Sequence, residues 1–164
     1  MSWTNPETLH QLELNAEIRN QGSGQVDRAL CRLFFDARLI SDNRDYGFDA
    51  RPLKTSMRGK SVDIVMFDVP WQGARLTLFR SLGQRLFKID WAIFFKKAWI
   101  ESDNPPFIYC ETYAPDMETQ RGLVSLRRRG SDLVLVRGPP EIGEITQDGR
   151  NRAFLTRPDM VFGP

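Results

Sequence analysis

The sequence predicts an α+β fold: an N-terminal helix pair and one further helix packed on a mainly antiparallel sheet. Three observations carry that prediction. Apolar residues over 25–38 recur at three- and four-residue spacing. From residue 62 onward, β-branched and apolar residues alternate in runs cut by turn residues. The last third holds two hairpin signatures. Elements in the order helix pair, strands, helix, strands segregate helices to one face of a sheet.

The first helix is expected to start near Asn5, because Thr4 and Glu7 have the spacing of a capping box and Pro6 suits a first helical turn. It ends in the connector Asn20-Gln-Gly-Ser-Gly24. The second runs over 25–38, where Val26, Leu30, Leu33, Phe34 and Ala37 share one face and Arg28 and Arg32 point elsewhere. From Ser41 to Lys60 the pattern dissolves into Asp, Asn, Gly, Pro and Arg, which reads as an irregular loop at about 41–60. Val62–Val69, Ala74–Arg80 and Arg85–Ile89 read as strands, with turns at Pro70–Gly73 and Ser81–Gly83. Asp90 then caps a third helix in which Trp91, Phe95 and Trp99 repeat every four residues, with a strand as the alternative reading of the run, and Asp103-Asn-Pro-Pro106 stops it. Phe107–Tyr113 is a further strand. Leu123–Arg127 and Leu133–Arg137 flank a turn at Arg128–Ser131, and Ile142–Thr146 and Arg152–Thr156 flank Gln147-Asp-Gly149.

The 164 residues, 41% apolar and 27% charged, suit a single globular domain over 1–164 with one core. A net charge of +2 falls short of the basic excess that would point to nucleic acid by composition. Cys31 and Cys110 lack the dense pattern of a disulfide scaffold, so reduced thiols and a cytoplasmic setting are expected. The N-terminus has no basic start followed by an apolar run, and no segment approaches the roughly 18 apolar residues of a membrane span. Neither a transmembrane segment nor membrane-surface contact is expected.

Motifs for cofactors and metals fail on spacing. Gly59-Lys60-Ser61 resembles the end of a phosphate loop, but Lys54 stands where its first glycine belongs and a strand comes next. Asp42 to Gly47 has the order of a calcium loop, yet Arg44, Tyr46 and Leu53 occupy ligand positions. One histidine, His10, and two distant cysteines make no zinc quartet. No cofactor and no metal are therefore expected. Cys110, between Ile108 and Thr112 on one strand face, reads as a buried and inert thiol.

Three groups of residues remain as candidates. On the opposite face of that strand, Tyr109, Glu111 and Tyr113 project together and can line a pocket, with Glu111 as acid, base or acceptor. Arg127, Arg128 and Arg129 mark a hairpin tip. Tyr46, Phe48 and Arg51 in the long loop are typical interface anchors. Rings and cations also crowd the segment from Leu78 to Ile100, as core or as contact surface. The leading reading is a non-catalytic macromolecule-binding protein, a protein–protein interaction or regulatory domain whose partner is another protein. The alternatives are a small hydrolase or transferase with a Tyr/Glu/Tyr pocket and Arg-assisted binding of an anionic substrate, and a nucleic-acid-binding protein.

Overall fold

A computed structural model describes residues 5–20, 28–40, 51–72, 84–114, 118–147 and 150–151. These are 65% strand, so the fold is mainly β and the expected α+β arrangement is overturned. In chain order the strands are β1 (Leu9–Asn20), β2 (Arg28–Asp36), β3 (Arg51–Met57), β4 (Lys60–Gln72), β5 (Gln84–Lys96), β6 (Phe107–Tyr113), β7 (Gln120–Arg129), β8 (Asp132–Gly138), β9 (Thr146–Gln147) and β10 (Arg150–Asn151). Helical structure among the described residues is one 3₁₀ turn, Ala37–Ile40, and one α-turn, α1 (Lys97–Ile100).

Each expected helix fails for a physical reason. Asn5 makes a turn instead of leading a helix: its side chain accepts the Glu7 amide at 2.9 Å and its carbonyl accepts the Thr8 amide. The chain leaves this turn as strand β1, in which Leu12 and Leu14 alternate with exposed Gln11 and Glu13. In β2 every residue from Ala29 to Asp36 is buried. A strand covered on both faces is apolar almost throughout, and such a run contains the helical spacing along with every other. The third helix is strand β5 up to Lys96, with Ile93 and Phe95 fully buried on one face and only the turn α1 beyond it.

The expected loop at 41–60 is also partly strand. Residues 41–50 lie outside the described ones, but Leu53 and Thr55 in β3 are buried between exposed Pro52, Lys54 and Ser56. Arg58 and Gly59, at φ 52° and 76°, close β3 onto β4 in a two-residue turn with Met57 opposite Lys60. β4 runs through the expected turn at Pro70 to reach Gln72; residues 73–83 are not described. β6 has the expected bounds, and β7 and β8 form the expected hairpin about Gly130 and Ser131. The last hairpin is reduced to the short β9–β10 pair, and 152–156 lie outside the described residues.

Two layers result. β1 and β5 form an antiparallel ribbon; the other strands form one sheet in the order β10-β9-β3-β4-β2-β6-β7-β8, antiparallel at every step. Between ribbon and sheet lies one core, built from Leu14, Ile93 and Phe95 on one side and Leu33, Phe35, Phe67 and Leu126 on the other. A second core, with Phe34, Ile64, Met66, Phe107 and Tyr109, lies on the sheet's other face.

Connectivity requires that face to be concave. Gly138 ends β8, and Gly143 donates its amide to Ser56 of β3 at 2.9 Å. Five residues and the hydrogen bond together reach at most about 23 Å, whereas β8 and β3 stand five strand steps apart, about 24 Å on a flat sheet, and Gly138 is level with Arg51, five residues along β3 from Ser56. The sheet therefore curls, and the segment after β8 crosses its mouth, adding Ile142 and Ile145 to the second core. Thr55 Oγ1 holds the crossing by donating to the Gly143 carbonyl at 2.8 Å. A side chain at position 143 would displace the Ser56 hydroxyl and crowd the Ser56 carbonyl oxygen at 3.0 Å, so the close crossing favours glycine there.

Candidate functional site

The concave face carries a row of charge across its three central strands. Arg32 of β2 lies opposite Asp68 of β4 on one side and opposite Glu111 of β6 on the other. Directly opposed residues in antiparallel strands project to the same face, so the three side chains stand side by side. Arg32, only 1% exposed, gives Asp68 a two-pronged bond, Nε to Oδ1 at 2.7 Å and Nη2 to Oδ2 at 3.1 Å. Such a fork fixes the guanidinium in both angle and distance.

Two of the three expected pocket residues meet in this row. Glu111 is 4% exposed, and its Oε1 accepts the Tyr109 hydroxyl proton at 2.9 Å. Tyr113 is half-buried on the same face, its ring 5.9 Å from the Arg32 guanidinium carbon, within cation–π range. Arg32 and Asp68 were not among the expected site residues. An arginine amid the apolar run Ala29 to Phe35 was the available signal, since a buried guanidinium demands a carboxylate.

This network is satisfied within the protein to a degree that suits a structural role. A buried pair of this kind specifies register, because slipping β2 by one residue against β4 or β6 would turn Arg32 to the other face and leave both carboxylates behind. An anionic ligand bound here would compete with Asp68 for Arg32.

On the opposite face the two thiols pack with the first core. Burial is the main cause that pushes the Cys31 thiol far above its ordinary range, and the nearby Cys110 adds to it. Burial also raises Cys110, opposed by a backbone hydrogen bond from Gly122. Both are free cysteines held protonated at neutral pH, poor nucleophiles in that state. His10 is half-buried in β1 and stacks on Phe95 with ring centroids 5.3 Å apart.

The ring-and-cation segment divides. Phe95 is core, while Trp99 is half-buried beneath Lys96 and Arg38, 5.6 and 5.8 Å from its ring centroid. Arg38 also forks onto buried Asp36, with Nη2 to Oδ2 at 2.7 Å, and reaches the Asn104 carbonyl. These cations are tied to the fold itself.

At the other end of the sheet the chain is open to solvent. Arg128 and Arg129 are exposed and Arg127 half-buried at the end of β7. Arg128 pairs with Glu101 at 2.9 Å and also donates to the Gly130 carbonyl. Next to them, β8 has β7 as its one strand partner among the described residues, with Leu135 46% and Val136 41% exposed. Tyr46 and Phe48 lie outside the described residues; Arg51 opens β3, opposite Met66, with its side chain undescribed.

No protein-family model, no curated protein and no solved structure matches the chain. The functional reading accordingly rests on this geometry. No helix among the described residues is long and apolar enough to cross a membrane.

Proposed function

We propose that the chain is a non-catalytic, cytoplasmic protein-binding domain that takes its partner along the β8 edge and the adjoining Arg127–Arg129 tip. One observation carries this reading: Leu135 and Val136 are consecutive and both exposed, so apolar surface is offered on both faces of a strand at the sheet's edge. Among the described residues no strand pairs with the outer side of β8, and such an edge with exposed apolar side chains is a template for another strand. The apolar run Leu133 to Val136 holds no proline, glycine or charge to blunt it. Capture from the source-cell lysate tests the reading: a folded variant carrying Leu135→Lys and Val136→Lys should lose the partners that wild type retains. Equal recovery of the same partners would overturn it.

A second reading, a small hydrolase or transferase working at Tyr109, Glu111 and Tyr113 on an anionic substrate, is supported by the burial of the Glu111 carboxylate beside Arg32. It ranks lower because Arg32 already holds Asp68. Fluorescence titration with phosphate and carboxylate compounds should give a saturable response that Glu111→Gln abolishes; a flat response ends this alternative. Nucleic-acid binding would use Arg127 to Arg129, and the absence of a mobility shift with DNA or RNA at low salt would remove it.

A further inference from the structure

We infer that the concave face binds a free α-amino acid, with Glu111 holding its ammonium group and Arg121 its carboxylate. The inference rests on the lower-ranked reading of that face as a small-molecule site, and names the ligand class and the residue that receives the anionic end. Arg121 of β7 lies directly opposite Glu111. The charged row therefore continues one strand further, with Asp68, Arg32, Glu111 and Arg121 side by side on β4, β2, β6 and β7. The two carboxylates in it are served unequally. The Arg32 fork gives Asp68 two charge-assisted bonds, although the Asp68 side chain is 24% exposed. Glu111, at 4% exposure, receives one bond among the described residues, from the neutral Tyr109 hydroxyl. The more deeply buried carboxylate has the weaker partner, the reverse of what desolvation demands. Arg121 does not make up the difference: its side chain is exposed and, among the described residues, joins no ion pair.

Asp68 and Glu111 against Arg32 leave one negative charge in excess when all three are ionised, and the excess sits at Glu111. A cationic group there balances it. Just outside, Arg121 presents a planar fork of N–H donors that matches a carboxylate. Opposed side chains leave a sheet with Cβ atoms about 4.5–5.5 Å apart, so an ammonium and a carboxylate carried on one carbon can meet both residues at once. A simple acid would bring a second anion beside Glu111, and a simple amine would bring a second cation beside Arg121. Tyr113, two positions along β6 from Glu111 and half-buried on the same face, offers its ring to the ligand's side chain. Arg32 keeps Asp68 throughout, so the ligand's carboxylate has no competitor inside the fold.

Isothermal titration calorimetry of the full chain with the standard L-amino acids tests this, each one that binds being compared with the amine lacking its carboxylate and the acid lacking its amino group. At least one amino acid should bind saturably, and each truncated analogue should bind about tenfold or more weakly. Arg121→Gln should erase the preference for the amino acid over the amine, and Glu111→Gln the preference over the acid. A merely structural role would shift all three ligands together. Because Arg121 is exposed, Arg121→Gln should keep the wild-type far-UV circular dichroism spectrum, and it decides the matter alone if Glu111→Gln fails to fold. No saturable binding of any amino acid, or a preference over the amine that survives Arg121→Gln, overturns the inference. Phosphate or simple carboxylates that bind wild type and are lost in Glu111→Gln, where amino acids do not bind, would leave the small-molecule reading standing and end this one. No response to any of these compounds would end both.

Discussion

β2 and β8 are similar in composition and opposite in fate. Each mixes aliphatic residues with arginine and an aspartate: β2 reads Arg-Ala-Leu-Cys-Arg-Leu-Phe-Phe-Asp and β8 reads Asp-Leu-Val-Leu-Val-Arg-Gly. Yet in β2 the guanidinium of Arg32 is buried, and in β8 the leucine at 135 is nearly half exposed. The place in the sheet decides this. β2 has partners on both sides and a core on each face, so even its charges must be accommodated inside. β8 has one partner among the described residues, so its apolar side chains are left at the boundary.

The largest expected effect tests whether Arg32 anchors the centre. Arg32→Ala leaves buried Glu111 and the part-buried Asp68, whose side chain is 24% exposed, without the cation between them, and should cost up to about 3–5 kcal/mol in urea unfolding. Arg32→Met combined with Asp68→Leu should recover much of that loss; a single variant as stable as wild type would refute the anchoring role. On the other face of the same strand, Leu33 is 6% exposed, and Leu33→Ala should cost about 2–5 kcal/mol.

The central strands also predict a pH dependence. Burial raises both Cys31 and Cys110 above the usual thiol value of 9.0. The folded thiols thus keep their protons where the unfolded ones release them. Their stabilising contribution is complete below the unfolded pKa and is lost as pH rises from there toward the folded values. Up to about 1.4 kcal/mol per thiol should disappear for each pH unit in that window. Denaturation measured across the alkaline range should show the decline, and replacing both cysteines by alanine should flatten it. The edge supplies the smallest effect: Leu135→Lys should leave stability in urea unfolding within about 0.5 kcal/mol of wild type. A larger loss would mean that β8 contributes to the core more than its exposure indicates.

The same contrast explains which parts were legible in the sequence. β6 could be bounded because Pro105 and Pro106 precede a short alternating run, and the β7–β8 hairpin because Gly130 interrupts two apolar segments. β2 could not, since burial on both faces erases the two-residue period that distinguishes strand from helix. In β1 the alternation of Leu12, Leu14, Ala16 and Ile18 was present, but the capping spacing of Thr4 and Glu7 outweighed it. At the site, a single strand's alternation sufficed to place Tyr109, Glu111 and Tyr113 on one face. Adding Arg32 and Asp68 required the register between strands distant in sequence, which no local pattern contains.

The ribbon has a consequence in time. β1 pairs with β5 alone among the described strands, so Asn20 waits for Gln84 and Leu9 for Lys96. A ribosome adding about 5–20 residues per second needs several seconds to cover that separation. Throughout that interval Leu12 and Leu14 lack the strand that will pair beside them, and the apolar side of the sheet against which they finally pack lacks part of its cover. Nascent chains of this protein are therefore sticky early and protected late, and slowing translation between β1 and β5 should increase aggregation more than the same delay placed after β5.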